Sequence, residues 1–465
     1  MSTARFLELQ KQYPVFSYDD FSIVQNGTRL RLTFSFSVNG LCRFAPTTEI
    51  ETENLTLLND PQGPLARRFV FALGLVELVS YWKAACPRRV EVRAGALTEE
   101  DVRFWKKLYF RGLSEFFYRN GIQTNERDFM ELVSCPRAED AAPDAAAFRT
   151  AGLRLVPVGG GKDSCVTASL LADAPEKNLF FTVNDQKART DTVLAAGYTP
   201  DAVVRTYRTI DPALLALNAR GFFNGHTPFS AIVAFLSAYC AYLVGATDIV
   251  LSNESSANEA NIAGTEVNHQ YSKSYAFERD FAAYCARVLT PDLHYFSLLR
   301  PFNELQIAKQ FAALGQFHDT FRSCNRGSKQ NVWCGKCSKC LFVFSILSPF
   351  LDYDRLCGIF GGDLLDDPAL AADFDGLCGF SPVKPFECVG TPSELCAALF
   401  MTADRFREAG RALPCLLRRF TEKAVRTDDR PLLDWNDEHN IPAAFLPAVK
   451  EMYRFVAADC RLSAK

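Results

Sequence analysis

Residues 153 to 171, LRLVPVGGGKDSCVTASLL, admit fewer readings than any other stretch of this chain. Leu153, Leu155, Val156 and Val158 form a short apolar run, Gly159, Gly160 and Gly161 follow at once, and Lys162-Asp163-Ser164 lead into Val166, Leu170 and Leu171 at helical spacing. The pattern predicts a strand, a tight loop and a helix start. Glycines let backbone N–H groups turn toward a ligand, and the positive end of the helix dipole lies behind them, so the place suits phosphate. Lys162 adds a charge and Ser164 a hydroxyl donor. Asp163, a carboxylate beside an anion, makes sense as a magnesium ligand or a helix cap. An ordinary strand-to-helix turn is the plain alternative.

The loop is neither a Walker A sequence, which needs four residues between its glycine and Gly-Lys-Ser/Thr, nor the dinucleotide fingerprint, whose glycine spacing differs. It resembles the Ser-Gly-Gly-x-Asp-Ser signature of the PP-loop ATP pyrophosphatases, which cut ATP to AMP and pyrophosphate. Gly159 stands where that signature has serine, so the hydroxyl of that position is missing. The resemblance implies ATP and magnesium at Gly159, Gly160, Gly161, Lys162, Asp163 and Ser164, in a Rossmann-like sheet.

Around the loop, the 465-residue chain is long enough for two or three domains. Composition is globular, 48% hydrophobic and 23% charged, and a net charge of -3 argues against an extended nucleic-acid surface. Sixteen cysteines suggest disulfides until position is considered. The start, MSTARFLELQKQYPVF, lacks the apolar core of a secretion signal, so a reducing cytoplasm is expected, with most cysteines as small core residues. Thr227 to Thr247 carries no charged side chain and is long enough to span a bilayer. It is rich in Ala, Ser and Tyr and ends at Gly245 before the strand-like Asp248 to Leu251, so a helix buried against a sheet is expected, and no membrane.

Residues 1 to 150 read as a mixed α+β domain. Ile23-Val24 and the alternating Leu30, Leu32, Phe34, Phe36 and Val38 flank Asn26-Gly27, a hairpin turn signal, and Val90 to Val92 is strand-like. Arg67 to Ala85 and Glu99 to Tyr118 have helical spacing. No chemical motif appears there, so packing and substrate recognition are equal expectations. Pro136 to Ala147 is linker-like. From 151 to 352 strands alternate with helices: Asn178 to Val183, Ala202 to Tyr207, Thr247 to Leu251 and Leu293 to Ser297 follow the first strand. This predicts an α/β, doubly wound parallel sheet that binds ligands at the carboxyl ends of its strands. Asn303, with Gln306 three residues on, reads as a capped helix start. Residues 353 to 465 read as a mainly helical region.

Three constellations could carry chemistry beside the loop. Cys324, Cys334, Cys337 and Cys340 suit a closed, structural zinc site; free core cysteines and an iron–sulfur cluster are the alternatives. The stretch from Ser252 through Glu254 and Glu259 to His269, Lys273 and Ser274 is too polar for a core, so it is expected either as a solvated loop or as a ligand wall opposite the glycine loop. His226 precedes the buried helix, as cap or ligand contact, and Cys388 lies in KPFECVGT, which alone reads as a loop with a buried cysteine.

A PP-loop followed by a late four-cysteine site is also similar to 7-cyano-7-deazaguanine synthases. Taken in order, however, GGGKDS, NESSANEAN, EVNHQYSKS, WCGKCSKCLFVF and KPFECVGT resemble the ATP-dependent UDP-N-acetylmuramoyl-L-alanyl-L-glutamate epimerases of peptidoglycan precursor synthesis, from about Val156 to Thr391. That resemblance implies inversion of a terminal L-glutamate through an acyl-adenylate, with a nucleotide-sugar dipeptide as substrate. The proton carriers are then sought among His269, His226, Lys273, Glu254, Glu259 and Cys388, His269 first. Another PP-loop ligase or thiolase, acting on a modified base or tRNA, and a non-catalytic nucleotide-binding or zinc scaffold remain alternatives at this stage.

Overall fold

The computed structural model describes residues 2–136, 148–262, 264–427 and 430–458; apart from Pro136, the linker-like stretch falls outside them. The Asn26-Gly27 turn forms as expected: Gly27 takes φ +57°, and Asn26, ending β1 (Val15–Asn26), faces Arg29, opening β2 (Arg29–Val38). Alternation in β2 buries Leu30, Leu32, Phe34, Phe36 and Val38. β3 (Cys42–Phe44) and β4 (Thr47–Glu51) pair the two ends of β2, while β5 (Arg89–Val92) and β6 (Glu131–Ser134) extend the sheet beyond β1. β3, β4 and β6 are too short and too polar for periodicity to reveal them.

The later strands fall within a residue of their expected bounds: β7 (Leu153–Pro157), β8 (Asn178–Val183), β9 (Val203–Arg208), β10 (Ala246–Leu251) and β11 (His294–Ser297). They lie in the order β11-β10-β7-β8-β9, every neighbouring pair parallel. The chain leaves β7 to one side for β8 and β9, then returns to the other side for β10 and β11. A crevice therefore opens at the carboxyl end of β7, between neighbours whose connections diverge. The parallel strands do not stand alone. Thr48, Glu49 and Ile50 of β4 pair antiparallel with Arg208, Tyr207 and Thr206 of β9, so the strands before residue 150 and those after it form one sheet. The fold is α/β, with a large mixed sheet and many helices.

Both faces of the parallel strands are buried, as their continuous apolar runs require. Leu155, Phe181, Ile249 and Tyr295 join a core with the helices Pro64–Trp82 and Phe229–Val244. Their strand neighbours Val156, Phe180, Val250 and Phe296 point the other way, into a core with Leu341, Phe344, Leu399, Leu417 and Val449. Helix Ser338–Leu347 and the helices after residue 353 thus cover the second face of the sheet.

Helix Phe229–Val244 is the uncharged stretch noted in the sequence, packed inside the first core; among the described residues no helix is long and apolar enough to cross a membrane. It ends at Gly245, in the left-handed region at φ +73°. A Cβ there would meet Leu58 Cδ2 at 2.5 Å and Arg149 O at 3.0 Å. Gly245→Ala should therefore cost about 1–3 kcal/mol, from backbone strain and the clash together. Urea denaturation would register this as a lower midpoint.

Candidate active site

The glycine loop begins where Val158 N donates to Phe181 O, beyond the end of β7. Gly160 takes φ +82°, and a Cβ on it would meet the Ala188 backbone at 3.0 Å, so only glycine fits. Gly161 precedes the helix Lys162–Leu170, and Ser164 Oγ accepts from Gly160 N while donating to Gly161 O. Part of what the serine does is thus to hold the loop closed. A Cβ on Gly159 would meet nothing within 4 Å, which leaves room where the PP-loop signature carries serine.

The loop forms one wall of a cavity of about 350 Å³ whose lining includes Gly159, Gly161, Asp163, Ser164, Glu254 and Lys273. Lys162 does not line it. Its ammonium is buried and bonded to Asp163 and Glu304, which outweigh the effect of burial and hold it above the usual lysine range. The cations that do line the cavity are Arg189, Arg322, Lys273 and Lys339.

Asp163, Glu254 and Glu304 come from just beyond β7, β10 and β11, and one oxygen of each lies within 4.8 Å of the others. Burial, with Asp163 and Glu254 nearby, pushes Glu304 up to about 7, while Lys162 pulls the other way. Three carboxylates gathered at the ends of three adjacent strands form a donor set suited to a hard divalent cation. Glu304 opens helix Glu304–Ala312, whose Asn303/Gln306 capping box forms as the sequence predicts.

Facing the loop is a second group. Cys388, from the loop before helix Pro392–Glu408, lines the cavity and receives a hydrogen bond from Lys273 Nζ at 3.2 Å. His269 stands near Cys388 and is hydrogen-bonded through Nδ1 to Glu115 Oε2 at 2.5 Å. Glu115 also accepts from Arg119 at 2.5 Å and meets His226 Nδ1 at 3.3 Å. Neither His269, Glu115 nor His226 lines the cavity; they stand behind Cys388. Burial pushes the Cys388 thiol up, but Lys273, His269 and Lys339 together bring it down to about 6. Burial pushes His269 down, and the neighbouring Cys388 and Glu115 carry it up to about 9. Burial and the neighbouring His269 lower His226 to about 4. At neutral pH the group holds a thiolate, an imidazolium and a neutral imidazole around one carboxylate.

Beside the cavity, the Sγ atoms of Cys324, Cys334, Cys337 and Cys340 lie within 4.8 Å of one another, Cys337 to Cys340 at 3.4 Å and Cys334 to Cys340 at 3.7 Å. A tetrahedron with Zn–S near 2.3 Å has S···S edges of about 3.8 Å. Backbone N–H groups of Gly327, Lys336 and Cys340 point at Cys324, Cys334 and Cys337 sulfurs, as anionic thiolates need. Lys339, between the last two cysteines, donates to the Cys388 carbonyl.

Comparison with known proteins now decides the family. The family model described as MurL N-terminal domain matches residues 8–298, and MurL C-terminal domain matches residues 320–430. The chain belongs to the MurL epimerase family. It is similar to the UDP-N-acetyl-alpha-D-muramoyl-L-alanyl-L-glutamate epimerase of Xanthomonas oryzae pv. oryzae, 37% identical over 81% of this chain and 84% of that one. The epimerases of the same name from Micromonospora sp. and Salinispora tropica are 34% identical over 96% of this chain and 99% of theirs, and 36% over 84% of each. Like them, this MurL-family chain is an enzyme of the isomerase class. No solved structure matches it.

In this MurL-family fold the expected site residues separate. The loop, Glu254, Lys273 and Cys388 converge on the cavity, with His269 and His226 one step behind. Glu259 is away from it, paired with Lys384 at 2.8 Å and 40% exposed. His226 caps no helix: Phe229–Val244 has Pro228 as N-cap and no side-chain cap bond. The polar stretch after β10 meets the ligand-wall expectation at its two ends, where Ser252, Asn253, Glu254 and Lys273 line the cavity, and differs from both expectations between them. Ser256, Asn261, Asn268, Gln270, Ser272 and Ser274 are buried, and polar groups among them meet partners within the protein: Asn268 donates to Ala257 O, Asn261 to Pro385 O, and Ser274 Oγ accepts from Phe277 N. No sequence pattern singles out Glu115, Glu304 or Lys339: Glu115 lies in the plain helical run Glu99 to Tyr118, Glu304 just after the helix cap Asn303, and Lys339 between Cys337 and Cys340.

The ionisation of Cys388 is directly measurable. Followed by peptide mass spectrometry, its alkylation by iodoacetamide should rise with pH about a midpoint near 6, against ~8.5 for an ordinary thiol. Lys273→Gln removes the nearest cation and should move that midpoint upward. An unshifted Cys388 in the unmodified enzyme would refute the thiolate assignment.

Proposed function

We propose that this enzyme inverts the terminal L-glutamate of UDP-N-acetylmuramoyl-L-alanyl-L-glutamate to D-glutamate, using ATP to form an acyl-adenylate and releasing AMP and pyrophosphate. The observation that carries this reading is that one cavity is walled by the glycine loop on one side and by Cys388 and Lys273 on the other. Activation and proton movement need such proximity. A carboxylate resists loss of the neighbouring Cα proton, because negative charge would accumulate. As a mixed anhydride with AMP, the same carbonyl becomes an electron sink, and the Cα–H becomes acidic enough to exchange.

The glycine-loop N–H groups at the start of helix Lys162–Leu170 would cradle phosphate, as in the PP-loop resemblance. Parallel strands in the order β11-β10-β7-β8-β9 support the same reading, since such a sheet binds its ligand where the loop stands. Arg189, Arg322, Lys273 and Lys339 supply the cavity's positive charge. Asp163, Glu254 and Glu304 would hold magnesium, which would offset phosphate charge when bound. The group of Cys388, which lines the cavity, and His269, held by Glu115 behind it, would exchange the Cα proton. The four thiols would hold a structural zinc, leaving no open coordination position for chemistry.

Two measurements test this reading. With ATP and the muramoyl dipeptide in heavy water, the enzyme should form D-glutamate carrying deuterium at Cα in step with AMP and pyrophosphate. Asp163→Asn should lower pyrophosphate release by ~100-fold or more, by the cost of losing one charge-stabilising group, with an unchanged circular dichroism spectrum. No ATP-dependent inversion, or full activity in that variant, defeats the assignment. Metal analysis should find about one zinc per chain, as one closed four-thiol site requires. Iron, or no metal, would overturn the zinc reading.

A further inference from the structure

We propose that Cys388 is a covalent nucleophile: its Sγ takes the acyl group from the adenylate, and the glutamate Cα is inverted while held as a Cys388 thioester. This rests on the acyl-adenylate reading and deepens it.

The geometry is that of an activated nucleophile. Glu115 Oε2 holds His269 Nδ1 at 2.5 Å, as an acid orients a base, and the Cys388 sulfur lies near enough to His269, and at 3.2 Å from Lys273 Nζ, for both cations to stabilise its thiolate. Of Glu115, His269 and Cys388, only Cys388 lines the cavity shared with the glycine loop, so it is the group that an acyl-adenylate there would meet first. Its surroundings are unlike those of the chain's packing cysteines. Burial pushes the thiols of Cys165, Cys240 and Cys285 up, whereas Cys388 has the Lys273 ammonium at 3.2 Å and His269 against its sulfur. A cysteine that merely filled space would gain nothing from a buried ammonium, which is costly to desolvate.

The thioester also resolves a problem of reach. His269 stands behind Cys388 and does not face the cavity, so substrate free in the cavity would present its Cα–H to sulfur, not to imidazole. In a thioester, Cα is two bonds from Sγ, the atom beside which His269 stands. Acylation therefore delivers the reacting carbon to the base. A thioester carbonyl, poorly stabilised by sulfur, also acidifies Cα–H more than an oxygen ester does.

The steps balance. The thiolate attacks the acyl carbon; the C–S bond forms, the C–O bond to phosphate breaks, and AMP leaves with that electron pair, taking the proton of the His269 imidazolium. The neutral imidazole removes the Cα proton, the planar enolate receives a proton from a water on its opposite face, and the imidazolium gives its proton to the hydroxide so formed, leaving His269 neutral again. Water then attacks the thioester carbonyl as His269 takes one of its protons. The C–S bond breaks and the electron pair returns to sulfur, restoring the thiolate–imidazolium pair; the product carboxyl loses its proton to solvent.

The test uses the whole enzyme, ATP, magnesium and muramoyl dipeptide radiolabelled in its glutamate, acid-quenched across the first turnover. Label should stay on the denatured protein and map to the Cys388 peptide, with the mass of the acyl group added. Cys388→Ser should still form about one pyrophosphate per site, but lose D-glutamate formation and Cα deuterium entry by ~100-fold or more, the usual cost of removing a nucleophile or its base. Inversion by wild type with no protein-bound label at any time, or inversion by Cys388→Ser within tenfold of wild type, overturns the thioester and leaves the adenylate reading standing. Wild type that releases no pyrophosphate defeats the adenylate reading itself. Label on the wild-type enzyme is decisive even if the serine variant misfolds, and Cys388→Ala provides a second variant for the inversion assay.

Discussion

Strands β7, β8 and β10 are apolar on both faces, and such strands are stable only when both are covered. This constraint organises the molecule. One cover comes from helices Pro64–Trp82 and Phe229–Val244, the other from helices near the end of the chain, and the two meet around the carboxyl edge of the parallel strands. The cavity lies there, so its surroundings are drawn from every part of the sequence. Glu115 belongs to the first cover, Cys388 to the second, and the glycine loop and Glu254 to the sheet between them. A region that carries no chemical motif thereby contributes a carboxylate to the active group.

The pairing of β4 with β9 serves the same end. Beside it, Arg208 forms two bonds to Glu77, within helix Pro64–Trp82, and joins the early chain to the last strand on that side. The expected boundary near residue 150 is therefore crossed by a continuous hydrogen-bonded sheet.

Around the cavity, buried charges occur in balanced sets. Lys162 lies between Asp163 and Glu304, Arg300 is fully buried against Glu278, and Cys388 is held by Lys273 and His269. Desolvation makes each charge costly alone and strengthens its attraction to a partner. Burial lowers both His226 and His269, whose rings are 4.5 Å apart and share one carboxylate, and it is Cys388 and Glu115 beside His269 that separate their ionisation. Positions of this kind, where a group's partner rather than its type sets its charge, are where proton and acyl transfer can occur near neutral pH.

By itself the sequence determined what depends on near neighbours. The hairpin at Asn26-Gly27, the five parallel strands, the glycine turn into helix Lys162–Leu170, the Asn303/Gln306 capping box and the four-cysteine cluster each follow from turn chemistry, periodicity or short spacing. Only the tertiary structure decided which of these residues meet. It turned Lys162 from the cavity toward Glu304, put Cys388 in front of His269, sent Glu259 to Lys384, and packed a polar segment that reads as loop or wall. The reason is physical. Backbone conformation is set by sterics over a few residues, whereas the charge state of a side chain is set by partners such as Glu115 and His269, which are 154 residues apart and brought together by the burial of apolar faces elsewhere.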